Sequence, residues 1–285
     1  MKTVRNILEM SEISLKEIIS GRKTGFVPTM GALHEGHLSL VKAARSENDT
    51  VTVSIFVNPI QFGPAEDFGV YPRPIARDTS LLEAAGVDYL FLPSAEDMYG
   101  NNFETYIDLE RLPGHLCGLR REGHFRGVAT VVAKLFNIIK PNKAYFGQKD
   151  YQQALIIRKM AADLNFTTEI KTVPIIREQN GLALSSRNRY LTEKQKTEAS
   201  SIYKALRNGE KLILEGERNA GVIIQDISGF ISNNITNSKI DYVSAADPDT
   251  LVDIDIVNDG VLLAAAVYIG TTRLIDNILV KINKD

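Results

Sequence analysis

Pro28-Thr29-Met30-Gly31-Ala32-Leu33-His34-Glu35-Gly36-His37-Leu38 joins an apolar run, Thr24–Pro28, to a stretch of helical period, Leu38–Asn48. A loop that leaves a buried strand and enters a helix is where an open α/β sheet collects its ligands. Gly31 and Gly36 let the backbone come close to a ligand, and the first turn of the helix offers N–H groups to an anion. His34 and His37 can both face such a pocket, donate to phosphate oxygens and move protons near neutral pH. Other readings compete. Gly31 and Gly36 have the spacing of a phosphate-binding P-loop, but His37-Leu38 stand where Lys and Ser or Thr are required, so that reading fails. His34-Glu35-Gly36-His37 begins like a zinc-protease helix, but Leu38 stands where the second histidine belongs, and Gly36 is a poor helix-interior residue. The plainest alternative leaves both histidines as caps of a helix.

Working outward, Val51–Val57, Val87–Leu92 and Ala144–Gly147 are further short runs rich in Val, Ile, Phe and Tyr. Their near-continuous hydrophobicity suits a parallel sheet covered on both faces. Pro74–Ala85, Gly127–Ile139 and Tyr151–Leu164 lie between or after them with apolar residues at helical spacing. Strand and helix in alternation predict a doubly wound α/β domain. After Ile176 the texture changes: a polar loop, Arg177–Arg189, leads to a helix opening at Thr192 with a loose capping signal, then to a helix over Ala220–Asn234. Three strand-like runs follow, Lys239–Ala245, Gly260–Ile269 and Ile275–Ile282. The chain is therefore expected to form an α/β domain over 1–176 and a smaller α+β domain over 177–285.

At 285 residues, 44% hydrophobic and 24% charged, the composition is that of an ordinary globular protein. Thirty-three Lys and Arg against 35 Asp and Glu leave a net charge of −2, so no global field recruits nucleic acid or an anionic membrane. Any anion must be held by a local site. Cys117 is the one cysteine, which excludes an internal disulfide and a cysteine-based zinc cluster and agrees with a reducing compartment. Met1–Met10 lacks the apolar core of a signal peptide, and no 18 apolar residues run together. A cytoplasmic protein is expected.

Further clusters sit in the loops where chemistry is expected. Phe146-Gly147-Gln148-Lys149-Asp150-Tyr151-Gln152-Gln153 leaves a strand and enters a helix; Gly147 can open the loop, Lys149 can pair with phosphate, Asp150 can cap, and Gln153 can bond a polar substrate. A capped helix with a surface lysine would read the same way. Leu184-Ser185-Ser186-Arg187-Asn188-Arg189 places two hydroxyls and a guanidinium in a loop suited to polyphosphate. Phe56–Phe62 presents Gln61 as donor and acceptor beside apolar Ile60 and Phe62, which suits a small, branched, hydroxylated acid. In Gly123-His124-Phe125-Arg126-Gly127, His124 and Arg126 are either anion contacts, if the loop folds towards the sheet mouth, or groups that neutralise Glu122 or cap the helix beginning near Gly127.

Taken together, Pro28–Leu38, Phe56–Phe62, Gly123–Val128, Phe146–Gln153 and Leu184–Asn188 resemble, in order and over essentially the whole length, the pantoate–β-alanine ligase family. The resemblance implies a Rossmann-like doubly wound parallel sheet of the nucleotidyltransferase type, with a second, smaller α+β domain closing over the ATP site. It implies ATP-dependent condensation of (R)-pantoate with β-alanine to pantothenate, AMP and pyrophosphate through a pantoyl adenylate, within pantothenate and coenzyme A biosynthesis. It assigns ATP to Met30, Gly31, Ala32, Leu33, His34, Glu35, Gly36, His37, Gly147, Gln148, Lys149, Asp150, Ile176, Leu184, Ser185, Ser186 and Arg187. His37 is the implied proton donor, His34 a phosphate contact, and Lys149, Ser185, Ser186 and Arg187 face the phosphates. Gln61 and Gln153 would hold pantoate, and Gln61 also β-alanine. Mg2+ should bridge phosphates, with Asp78 a weak candidate ligand. The family also implies a homodimer; the apolar residues of Val51–Val57 would serve an interface or a buried strand equally well.

The sequence departs from the family pattern at Gln148, where Glu is expected, and over Leu116–Glu122, where an Arg-Pro-Gly approach is usual. Two other functions compete. Another nucleotidyltransferase would use the same histidines but has less reason for Gln61 and Gln153. A nucleotide- or RNA-binding regulator is disfavoured by the near-neutral charge and the lack of a basic, aromatic-rich tract.

Overall fold

The computed structural model describes residues 1–63 and 67–282. The chain divides into two compact units: Met1–Pro113, Arg120–Gln148 and Gln153–Pro174 form the first, and Gly114–Leu119, Lys149–Gln152 and Ile175–Asp285 the second.

In the first unit the elements are β1 (Lys2–Val4), α1 (Ile7–Ile19), β2 (Thr24–Thr29), α2 (Glu35–Glu47), β3 (Thr50–Ile55), α3 (Ile75–Ala84), β4 (Tyr89–Phe91), α4 (Ala95–Tyr99), α5 (His124–Ile139), β5 (Lys143–Gly147), α6 (Tyr151–Asp163, whose first two residues fall in the second unit) and β6 (Glu169–Val173). The strands form a parallel sheet in the order β1-β4-β3-β2-β5-β6. From β2 the chain moves outward through β3 and β4, then returns to the other side of β2 for β5. The order therefore reverses between β2 and β5, and a crevice at the carboxyl ends of these strands is the expected ligand position. β3 reads Thr-Val-Thr-Val-Ser-Ile and is buried at every residue between β2 and β4. The apolar run there is thus an interior strand and not an interface. One face of the sheet packs Val27, Val51, Val53 and Leu90 against Leu40 and Val41 of α2 and Leu82 of α3. In α5, Phe136 meets Phe26 of β2 edge-on at 6.4 Å between ring centroids.

Four elements of this unit had no counterpart among the sequence expectations: β1, α1, α4 and β6. β1 has three residues, too few for a period, and β6 is a half-exposed edge strand that reads Glu-Ile-Lys-Thr-Val. α2 and α5 start earlier than expected, at Glu35 and His124, because a capping histidine and the left-handed Gly123 open them.

In the second unit α7 (Glu193–Ala199), α8 (Ser201–Leu214) and α9 (Ala220–Asn234) precede an antiparallel sheet of β7 (Ser238–Ala246), β8 (Gly260–Ile269) and β9 (Thr272–Lys281) in that order. The expected helix at Thr192 is two helices, and its start is a full capping box rather than a loose one. Thr192 accepts from the Gln195 N–H, and the Gln195 side chain accepts from the Thr192 N–H. Ile223, Ile227 and Ile231 repeat every fourth residue along α9 and pack with Leu206 and Ile213 of α8 against Val261, Leu263 and Val267 of β8.

Candidate active site

The loop after β2 takes its shape from residues distant in sequence. Gly31 has φ +81° and Ala32 φ +52°, so two successive residues occupy the left-handed region. Glycine does so at little cost, whereas a residue with a β-carbon needs outside support. Asp78, fully buried in α3, supplies it by accepting from the Ala32 N–H at 2.7 Å and from the Leu33 N–H at 3.0 Å. Arg77 donates to the Leu33 carbonyl at 3.1 Å. Gly31 N–H donates to Thr29 Oγ1, which itself donates to the Ser54 carbonyl.

His34 is the N-cap of α2: its Nδ1 accepts from Gly36 N–H at 3.1 Å, and His37 Nδ1 accepts from His34 N–H at 3.3 Å. The backbone N–H groups of His37 and Leu38 bond to the His34 carbonyl. The amides of Gly31, Ala32, Leu33, His34, Gly36, His37 and Leu38 therefore each have a partner within the protein. The capping reading and the functional reading of the histidines are compatible. An Nδ1 that accepts a backbone proton places the proton of the neutral ring on Nε2, so each neutral imidazole presents Nε2 as its donor. The two rings lie with centroids 4.1 Å apart.

The loop after β3 stands beside this one, since Thr29 and Ile55 are in register. Gln61 is buried; its Nε2 lies 3.0 Å from Met30 Sδ, and its Oε1 accepts from Asn58 Nδ2 at 3.0 Å. Asn58 also donates to the Gly127 carbonyl and accepts from the Tyr99 hydroxyl at 2.5 Å. His124 Nδ1 lies 2.8 Å from the Gln61 carbonyl and its Nε2 2.8 Å from Arg121 Nη1. Nδ1 must donate to a carbonyl, so Nε2 of the neutral ring accepts from the guanidinium. His124 thus holds Gln61 from behind, and Arg126 lies over the Tyr106 ring at 4.1 Å. Ile60 and Phe62 are half-buried, and Phe62 packs against Phe68 and Tyr71. Gly147 and Gln148 leave β5, and Gln153 is half-buried on α6 in the same unit.

Lys149, Asp150, Ile176 and Leu184–Arg187 belong to the second unit. Lys149 Nζ lies 3.9 Å from Asp150, and the Lys149 carbonyl accepts from Asn277 Nδ2 at 3.0 Å. A small concavity is lined by Lys149, Ser185, Asn188 and Asp276 among others. Ser185 caps a short 3-10 turn over Ser186–Tyr190, its Oγ accepting from Arg187 N–H. Ile176 and Leu184 are joined by a backbone bond of 3.0 Å. Asp276 receives both Nη atoms of Arg177, at 2.6 and 2.9 Å, and Arg177 stacks on Tyr203 at 3.6 Å. Burial pushes the Asp276 carboxyl up, and the Arg177 guanidinium opposes that rise. Glu35 and Asp150 are exposed.

Asp78 is not a metal ligand in this arrangement, because both carboxylate oxygens are turned into the protein towards amides. Among the described residues no three His, Cys, Asp or Glu side chains gather to hold a metal ion. Sequence reasoning overlooked Asn58, Asp276 and Asn277. The first lies inside a stretch already singled out, but nothing local marks the last two.

A reversal of strand order flanked by a His-x-Gly-His helix start defines an enzyme of the nucleotidyltransferase type, and the second domain extends that fold. The sequence profile described as pantoate-beta-alanine ligase matches residues 2–279. A pantothenate synthetase of Thermosipho melanesiensis is 50% identical over 280 residues, 98% of this chain and 99% of that one. The structure of the pantothenate synthetase of Thermus thermophilus superposes with a TM-score of 0.92 at 42% identity, over 98% of this chain and 99% of that one. A pantoate–β-alanine ligase of Francisella tularensis, complexed with βγ-ATP and β-alanine, superposes with a TM-score of 0.79 at 39% identity, over 98% and 97%. The chain belongs to the pantoate–β-alanine ligase family.

Proposed function

We propose that the chain condenses (R)-pantoate with β-alanine at the expense of ATP, through a pantoyl adenylate. The observation that carries this reading is the exit of the His34–His37, Gln61 and Gly147–Gln148 loops from the carboxyl ends of three neighbouring strands, β2, β3 and β5. A pantoate carboxylate oxygen attacks the α-phosphorus of ATP, and the bond from that phosphorus to the bridging oxygen breaks to release pyrophosphate. The β-alanine amine then attacks the acyl carbon, the bond to AMP breaks, and the amine gives up its proton. Met30–His37, Gly147–Asp150, Ile176 and Leu184–Arg187 serve ATP; Gln61 and Gln153 hold pantoate, and Gln61 later β-alanine.

Charge accumulates on the departing pyrophosphate. Donors fixed in advance stabilise it more in the transition state than in the ground state. The Nε2 groups of His34 and His37 are such donors, with rings held by their caps. His37 is the proton donor of this reading, and Lys149, Ser185, Ser186 and Arg187 face the phosphates. Mg2+ would enter with ATP and would offset the charge that builds on the phosphates. We also infer that residues 1–176 and 177–285 act as the nucleotide- and pantoate-binding domain and the smaller closing domain, and that the protein is a cytoplasmic homodimer. Among the described residues no helix is long and apolar enough to cross a membrane.

The test is pyrophosphate release with MgATP and pantoate, first without and then with β-alanine. One equivalent per enzyme without the amine, turning into sustained release with AMP when it is added, is the expected result. Folded protein that binds ATP yet releases none under either condition would overturn the reading and favour another nucleotidyltransferase.

A further inference from the structure

We propose that Asp78, with its neighbour Arg77, is a positioning residue for adenylation: a clamp that holds the Gly31–Leu33 loop in its ATP-competent shape. The inference rests on the assignment of that loop to ATP. Asp78 is 0% exposed, and its two oxygens are committed to the consecutive N–H groups of Ala32 and Leu33. Arg77 Nη1 binds the Leu33 carbonyl and lies 3.9 Å from the Asp78 carboxylate. Both sides of one peptide segment are thus gripped by one turn of α3. The segment needs a grip, because Ala32 carries a β-carbon at φ +52°. Fit is close as well: a β-carbon built on Gly31 would stand 3.1 Å from Asp78 Oδ2 and 2.9 Å from Ile55 Cγ2.

Asp78 touches no reacting group on this reading. It acts through Leu33, whose carbonyl and amide lead directly into His34, the cap that orients both imidazoles. A carboxylate suits the task where an amide side chain does not. Its two oxygens both accept, so Asp78→Asn sets one N–H donor against another. A displacement of an ångström in a positioning loop is enough to cost about 100-fold in rate.

Steady-state kinetics of the whole chain test the clamp. Asp78→Asn is expected to lower kcat/KM for ATP at least about 30-fold through a raised KM, with the KM for β-alanine within about twofold of the parent. Loss of folded enzyme would instead lower kcat alone and move neither KM. Ala32→Gly tolerates the left-handed conformation, so Asp78→Asn should cost several-fold less in an Ala32→Gly background than in the parent. Arg77 has a side chain 59% exposed, so Arg77→Ala provides a variant that folds even if Asp78→Asn does not, and it should raise the KM for ATP about threefold or more. His37→Ala, measured beside them, separates the two ideas. Parent-like kinetics in Asp78→Asn and Arg77→Ala, alongside a crippled His37→Ala, removes the clamp and leaves the site reading intact. A fully active His37→Ala removes the site reading, while a raised KM for ATP in the other two variants would still establish the clamp.

Discussion

Gly127 shows how little room a functional side chain is given. A β-carbon built there would run into the Ile60 carbonyl oxygen and lie 2.7 Å from Gln61 Cα, both backbone atoms that cannot swing aside. α5 therefore approaches the Gln61 turn so closely that only glycine fits, and the Asn58 side chain bonds the Gly127 carbonyl across the same contact. Gly127→Ala should cost roughly 1–3 kcal/mol of stability, as overpacking of a close contact does. It should also raise the KM for pantoate by more than the KM for ATP. Chemical denaturation together with initial rates checks both, and an unchanged KM for pantoate would show that the Gln61 turn can shift without consequence. His124 supports the same residue. Its motif was legible in the sequence as an anion contact or a helix cap, whereas the ring, at the first residue of α5, bonds the Gln61 carbonyl and Arg121.

At the scale of the element, α1 is tied to the sheet by one buried carboxylate. Glu17 accepts from Arg22 at 2.5 and 2.7 Å, from Thr50 Oγ1 of β3 at 2.8 Å and from the Tyr89 hydroxyl of β4 at 3.1 Å. The Arg22 hydrogen bonds hold its carboxyl below the usual range, with Thr50 and Tyr89 adding to the effect against burial. A folded value below the unfolded one means that the stabilisation is complete above about pH 5 and is lost as pH falls through the folded value. Glu17→Ala is expected to lower stability by about 2–3 kcal/mol at pH 7, the scale of hydrogen bonds to a charged group. At pH 3 the variant and the parent should differ by distinctly less, which urea unfolding at the two pH values measures. A difference that stays constant between them would mean that packing, not ionisation, ties α1 down. Nearby, Tyr145 of β5 is pushed up to about 12 by burial, so its hydroxyl stays a donor to Glu47 across the physiological range.

For the molecule as a whole, the net charge of −2 leaves the binding of anionic substrates to local groups. A homodimer should sediment at twice the 31.6 kDa of the chain, and a concentration-independent monomer in ultracentrifugation would discard that part of the reading. β3 is already excluded as its interface, because it is covered on both edges by β2 and β4. Much was legible without coordinates. Continuous apolar runs alternating with helical periods specified a parallel sheet, and helices followed by three strand-like runs specified a second sheet, because such patterns record which faces must leave water. The His34–His37 motif and its place after a strand were local properties too. What only the tertiary structure decided is who answers the polar groups of those loops. Asp78 lies 46 positions from Ala32, His124 lies 63 from Gln61, and Asn277 lies 128 from Lys149. Periodicity reports burial along one element and is silent about partners brought from elsewhere. A buried N–H must nevertheless find an acceptor, and topology alone determines which carboxylate or carbonyl is there to provide it.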